Sequence, residues 1–341
     1  MILDGRDAGA ISAAAQALAA GELVGLPTET VYGLAADADN ASAIAKIFAT
    51  KGRPADHPLI VHVADASRVL HFASDVPDFA AALIKVFWPG PLTLILPRQP
   101  GVATAAAGGQ NSIGMRCPSH PVAQALLQAC QATAGKPVWG VAAPSANLFG
   151  RVSPTTAQHV QDEFGAALLV LDGGACSVGI ESTIIDCTRG APVLLRPGAV
   201  TSEQVQAVCG MQVLSQAAMQ ALDSAAPRAS GTLESHYAPN AKLRLMDAKA
   251  LQTALDLLGR DVDGAGAAPV IAIYSRAILK TLSRTVLRKR MPDDAAATAQ
   301  QLFATLRAFD TQGVKLIWIE TPPADHAWDG VRDRLQRAAA G

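Results

Sequence analysis

Short apolar runs alternate along this chain with longer stretches whose apolar residues recur every three to four positions. The short runs predict strands at 22–28, 58–63, 92–97, 112–117, 138–143, 167–172, 182–187 and 192–196. The longer stretches predict helices over 8–20, 40–50, 78–87, 120–131, 155–163 and 202–208. Asp7 stands where it caps the first helix, and Thr155 with Gln158 and Thr201 with Gln204 have capping-box spacing for the last two. Regular alternation of strand and helix is the mark of an α/β fold. It predicts a first domain over 1–208.

The pattern changes at 209–240. An ambiguous helical patch gives way to Ser224–Pro227 and then to Ser-Gly-Thr-Leu-Glu-Ser-His-Tyr-Ala-Pro at 230–239. Gly, Ser and Pro at that density predict a linker. His236 and Tyr237 are unusual in an idle tether, because aromatic groups gain stability by docking. A smaller α/β unit is predicted over 241–341, with strands at 242–246, 270–275 and 315–320 and helices near 248–259, 293–309 and 326–338. No internal repeat is visible.

Composition agrees with buried sheets. Half of the 341 residues are hydrophobic and only 17% are charged, against about 25% in an average chain. The net charge of −1 argues against a general nucleic-acid binder. Residues 1–240 carry 13 Lys/Arg against 18 Asp/Glu, a net of −5, and residues 241–341 carry 15 against 11, a net of +4. Part of that excess is Arg288, Lys289 and Arg290, a run that reads as a solvated face or as a contact to RNA. The five cysteines are scattered and form no Cys-x-x-Cys pair, as expected of reduced thiols in the cytoplasm. The N-terminus does not read as a signal peptide, and no apolar run is long enough to span a bilayer.

Several familiar catalytic signatures are missing from the sequence: the phosphate-binding P-loop, the dinucleotide-binding glycine fingerprint, the Gly-x-Ser-x-Gly elbow and the His-Glu-x-x-His helix. Another arrangement is present. Leu-Pro-Thr-Glu-Thr-Val-Tyr-Gly-Leu at 26–34 reads as a buried strand opening into a hydroxyl-rich turn with Thr28 and Thr30. Lys-Gly-Arg-Pro at 51–54 puts Lys51 and Arg53 just after a helix, where they can hold an anion of several charges. Ser112 and Arg116 share one face of a strand. Ser145, Asn147, Ser153, Ser182, Thr183 and Arg196 fall at further strand ends, where ligands of open α/β sheets bind. Hydroxyls, amides and cations gathered in this way suit a phosphate ligand, a nucleotide triphosphate above all. Each residue also has a plainer use: Ser and Thr cap helices, Asn147 forms turns, and His62 in Leu-Ile-Val-His-Val reads as a core histidine. Cys117 reads as a small hydrophobe.

These segments carry a resemblance. Thr-Glu-Thr-Val-Tyr-Gly-Leu, Lys-Gly-Arg-Pro with His-Pro-Leu, Trp-Pro-Gly-Pro-Leu-Thr at 88–93, Ser-Ile-Gly-Met-Arg at 112–116, Ala-Pro-Ser-Ala-Asn at 143–147, Glu-Ser-Thr-Ile-Ile-Asp at 181–186 and Leu-Arg-Pro-Gly at 195–198 resemble the YrdC family, in its order. The linker and second domain resemble its longer members, the two-domain threonylcarbamoyl-AMP synthases. The resemblance implies a twisted, open, mixed sheet flanked by helices, followed by a smaller Rossmann-like α/β domain. It implies a nucleotidyltransferase that joins L-threonine, bicarbonate and ATP into L-threonylcarbamoyladenylate and pyrophosphate. That product feeds a transferase complex that modifies an adenosine of tRNA.

Carried onto this chain, the resemblance puts Lys51, Arg53, His57, Ser112, Ser145, Asn147, Ser153 and Arg196 around ATP, with Lys51 and Arg53 catalytic. It puts Thr30, His62, Arg116, the Ala143 backbone and Ser182 around L-threonine, and folds Tyr237 over the nucleotide as part of a lid. Mg²⁺ is expected to arrive on ATP, with no protein-bound metal or organic cofactor. Two departures stand out: His57 takes a position that is often Asn, and the linker lacks the Pro-Gly-Met segment and following Arg of many relatives. Two other readings remain open. One is an RNA-binding module without catalysis, against which the net-acidic first domain and the 4% aromatic content count. The other is a carbamoyl-transfer relative with a different acceptor; such chains carry zinc-finger or acylphosphatase-like modules, and Cys-x-x-Cys is absent here.

Overall fold

The computed structural model describes residues 1–133, 136–215, 218, 229, 236–259 and 270–341. The chain is α/β and divides into two compact units, Met1–Phe149 with Ser153–Thr232, and Gly150–Val152 with Leu233–Gly341. Of the segment expected to be a linker, residues 216–217, 219–228 and 230–235 lie outside the described residues.

The first unit is built on β1 (Ile2–Asp4), β2 (Val24–Leu26), β3 (Gly33–Asp37), β4 (Ile60–His62), β5 (Leu92–Pro97), β6 (Ser112–Arg116), β7 (Val141–Ala142), β8 (Leu169–Asp172), β9 (Thr183–Asp186), β10 (Val193–Arg196) and β11 (Leu214–Ser215). They form one mixed sheet in the order β1-β8-β2-β3-β7-β4-β6-β5-β9-β10-β11. Its helices are α1 (Ala8–Ala19), α2 (Ala41–Lys51), α3 (Val69–Phe72), α4 (Asp78–Phe87), α5 (Pro121–Gln131), α6 (Ala157–Phe164) and α7 (Ser202–Cys209). Most sequence-based elements appear within a residue or two. Four strands were not expected. β1 and β11 are too short to show a period, β3 is Gly- and Ala-rich, and β14 of the second unit, introduced below, lies in the basic run. β11 lies past residue 208 and pairs with β10. The cap expected at Thr155 with Gln158 is instead made by Thr156, whose side chain accepts from the His159 N–H.

Alternation decides which side chains face the helices and which face the hollow. On one face Val61, Leu92, Leu94, Leu96, Ile113 and Met115 pack against Ile44, Ile47 and Phe48 of α2, Leu83 and Ile84 of α4 and Val205 of α7. On the other, Ile60 of β4, Thr93 and Ile95 of β5, Ser112 and Gly114 of β6 and Ile184 of β9 line a hollow. Burying one face while leaving the neighbouring residues to a hollow is what a period of two permits.

α2 positions the cationic turn. Asn40 caps it by accepting from the Ser42 and Ala43 N–H groups at 3.1 and 3.2 Å. Gly52, at φ 62°, ends it in the left-handed conformation that glycine adopts without a Cβ clash. The Arg53 N–H then returns to the Phe48 carbonyl at 3.0 Å. Helix termination therefore rests on Gly52, before Pro54 is reached.

The second unit has β12 (Lys242–Met246), α8 (Ala248–Leu258), β13 (Ile271–Ser275), β14 (Leu287–Arg290), α9 (Ala295–Thr311), β15 (Leu316–Glu320) and α10 (Asp329–Ala339). Its four strands are all parallel, in the order β12-β15-β13-β14. Ile271, Ile273 and Trp318 pack against Leu251 and Leu255 of α8.

Candidate active site

Arg116 ends β6 and projects to the hollow's side of the sheet, as does Ser112 four residues earlier, about 13 Å along the strand. Its guanidinium is almost fully buried and held from three sides: Nε donates to the Gly90 carbonyl at 3.2 Å, one terminal nitrogen to Thr30 Oγ1 at 2.9 Å, and the other meets Glu29 Oε1 at 2.6 Å. Burial alone would raise the Glu29 pKa. The Arg116 charge and hydrogen bond, with the N–H of Ser119, outweigh it and hold Glu29 below its ordinary value. Thr30 is fixed in turn by Thr28, whose hydroxyl lies 2.9 Å from its own and donates to the Val31 carbonyl at 2.6 Å.

His62 lies directly opposite Arg116 on β4. Burial first, then the Arg116 charge, drives its imidazole down to about 3, so the ring is neutral at physiological pH. Nδ1 lies 3.1 Å from the Ile60 carbonyl. The histidine is thus both the buried residue its apolar setting suggests and a neighbour of the arginine. Ala143 joins the same strand, its N–H donating to the Ile60 carbonyl at 3.1 Å.

Arg196 reaches the face from the sheet's other side. The β9–β10 register slips between Leu194 and Arg196, which sets Arg196 opposite Ile184. Such a bulge re-aims a side chain that regular alternation would turn the other way. Nε donates to the Ser182 carbonyl at 3.0 Å and Nη2 to Ser182 Oγ at 3.2 Å. Ser182 Oγ lies 2.7 Å from Thr93 Oγ1, and Ser153 Oγ donates to Glu181 beside it at 2.5 Å.

The third group surrounds the end of α2. Lys51 Nζ donates to the Ser145 carbonyl at 2.6 Å and to the Asn147 carbonyl. Burial, with Arg53 adding repulsion, pulls Lys51 down to about 7. The Phe149 N–H donates to the Lys51 carbonyl at 2.8 Å. Over the Phe149 ring sit Arg53, 5.6 Å from its centroid, and the His57 ring, edge-on at 5.5 Å. Arg53 also donates to the carbonyl of Pro58, which lines the hollow.

Twelve of the thirteen candidates in the first unit fall in these three groups, and Ser112 lines the hollow apart from them. Ser112 lies at the start of β6, and the polar groups spread over a sheet face as well as over loops. Tyr237 lies in the second unit, fully buried at φ 62°, with its ring stacked on Phe303 at 5.4 Å and the Arg334 guanidinium 5.3 Å from its centroid. Glu29, Thr93, Phe149 and Glu181 were not picked out from sequence. Glu29 and Glu181 had a signal: each is a carboxylate inside an otherwise apolar or hydroxylic strand end, where an unpaired charge is costly. Thr93 and Phe149 had none. Among the described residues no His/Cys/Asp/Glu group could hold a metal ion, and no helix is long and apolar enough to cross a membrane.

Residues 16–198 match a family model described as telomere recombination, and residues 200–340 match one described as threonylcarbamoyl-AMP synthase, C-terminal domain. The threonylcarbamoyl-AMP synthase of Bacillus subtilis (strain 168) is 37% identical over 338 residues, 97% of this chain and 93% of the relative. That of Pyrococcus abyssi is 36% identical over 323 residues, 94% of this chain and 91% of the relative. Among solved structures, P. abyssi Sua5 complexed with L-threonine aligns with a TM-score of 0.83 at 34% identity, covering 96% of this chain and 94% of the other. A doubly substituted form of P. abyssi Sua5 aligns with a TM-score of 0.85 at 32% identity, covering 99% and 96%.

Proposed function

Because the chain belongs to the threonylcarbamoyl-AMP synthase family, we propose that it condenses L-threonine, bicarbonate and ATP into L-threonylcarbamoyladenylate and pyrophosphate. It is an enzyme, with threonine and ATP as substrates. The single observation that carries the assignment to this site is the Arg116 guanidinium, preset by Glu29, Gly90 and Thr30 on a sheet face that also bears Arg196. Arg116 keeps N–H groups for a carboxylate, the planar ion that guanidinium pairs with best. It is the L-threonine anchor, with Thr30, neutral His62, the Ala143 backbone and Ser182 around the amino acid.

The threonine amine adds to bicarbonate with loss of water, or to CO₂ with loss of a proton, giving a carbamate. A carbamate oxygen attacks the α-phosphorus, the bond to the β-phosphate oxygen breaks, and pyrophosphate leaves. The nucleophile is already anionic, so the protein's part is positioning and stabilisation of charge on the phosphate oxygens. Lys51 and Arg53 hold the phosphates, with His57, Ser112, Ser145, Asn147, Ser153 and Arg196 completing the nucleotide shell. Mg²⁺ enters as part of the substrate, Mg·ATP. As a nucleotidyltransferase the enzyme hands its adenylate to a separate transferase acting on tRNA.

Mass detection of threonylcarbamoyladenylate tests the reading. The product is expected with threonine, bicarbonate and Mg·ATP together, and to be lost in Arg116→Ala. Its formation at full yield in Arg116→Ala sinks the assignment of that residue.

A further inference from the structure

The second unit has a groove of its own. Ile273, Ser275, Ala277, Ile278, Leu279 and the consecutive Arg288, Lys289 and Arg290 line a cavity of about 320 Å³, at the lower end of the usual range for small-molecule sites. It lies beside the carboxyl end of β13, where parallel α/β sheets take their ligands. Ile273 and Ser275 stand opposite Arg288 and Arg290 in the β13–β14 register, so those four side chains share a face.

Arg290 pairs with Asp293 at 2.8 Å. Among the described residues, no carboxylate pairs with Arg288 or Lys289. Arg288 donates to the Leu279 carbonyl at 3.4 Å. Burial holds the Lys289 ammonium below its ordinary value. Cations on an edge strand discourage strand pairing, but that purpose requires neither a concave wall nor a hydroxyl. On the rim, Ile278 is 92% exposed. An exposed isoleucine beside cations supplies an apolar surface next to an anion site.

We propose that this groove binds the di- or triphosphate of a nucleotide, with Arg288 and Arg290, which share its face, on the phosphates and Ile278 against the nucleoside. It is separate from the ATP site of the first unit. It makes the second unit a place where nucleotide level can be sensed.

Calorimetric titration of the full chain with a non-cleavable ATP analogue tests this, alongside Arg288→Gln/Arg290→Gln and, separately, Arg53→Ala. Arg288 and Arg290 are exposed, so unchanged melting of the double variant is expected. The wild type is expected to bind two equivalents and the double variant one, while Arg53→Ala keeps the equivalent that the double variant lacks. Inorganic pyrophosphate filling that position alone would identify pyrophosphate as the source of the phosphates; failure to do so would identify the nucleotide. Superimposable binding curves for wild type and the double variant overturn the proposal. One equivalent in the wild type and none in the double variant would sustain this groove while refuting the first-unit site.

Discussion

Arg116 and Glu29 form a buried ion pair at 2.6 Å. The pair fixes the guanidinium proposed to anchor the amino acid, and its cost shows when one partner is removed. Glu29→Gln leaves the buried arginine without its counter-charge. A loss of about 3 kcal/mol in stability is expected, with a raised KM for threonine and a smaller change for ATP. Denaturant unfolding and steady-state kinetics check both; unaltered threonine KM would mean that the pair has no positioning role.

Acid should weaken the folded state through two of these groups. His62 titrates near 3 when folded against 6.5 unperturbed, so below pH 6.5 the unfolded chain takes up a proton that the folded protein refuses. Glu29 lies below its unperturbed 4.5, so its contribution is complete above that pH and fades as pH falls through the folded value. His62→Gln is expected to flatten the stability profile between pH 6.5 and 3, whereas Glu29→Gln flattens it only below about 4.5. Unfolding curves measured across that range decide the matter.

Lys51 gives the same slope at higher pH. Its folded pKa is about 7 against 10.5, so between those values the unfolded state holds more protons and stability rises with pH. A triphosphate beside the amine restores the charged form. Binding of ATP at pH 8 is therefore expected to draw in up to one proton, seen as a dependence of calorimetric heat on buffer ionisation enthalpy. Lys51→Met should abolish the uptake. Equal uptake in both proteins would remove Lys51 from the phosphate site.

Arg53 touches the Phe149 ring and the Pro58 carbonyl. Arg53→Ala should weaken ATP binding about 30-fold, on the order of 2 kcal/mol, and leave threonine binding intact. Ser182→Ala removes its hydroxyl contacts with Thr93 and Arg196; about 1 kcal/mol of stability is expected to go with them, and threonine KM should rise more than ATP KM. Equal shifts for both substrates would place Ser182 elsewhere in the mechanism.

Much of the first unit was legible because strand and helix periods are strong there. β5, with Leu92, Leu94 and Leu96 buried, is the clear case. The site was legible as motifs, since Thr30, Lys51, Arg116 and Arg196 each occupy a distinctive segment. The pairing of Arg116 with Glu29 was not, because 87 residues separate partners that only the sheet order joins. The bulge that turns Arg196 to the hollow leaves no local mark either. Arg288–Arg290 read as a solvated face and the three residues are exposed, but their charge hid the strand that forms the edge of the second sheet.

Pyrophosphate release from Mg·ATP, measured with bicarbonate and one amino acid at a time, tests the central claim most directly. Release that requires both threonine and bicarbonate, and collapses in Arg116→Ala, is the predicted result. Release that proceeds at the same rate without either would contradict it.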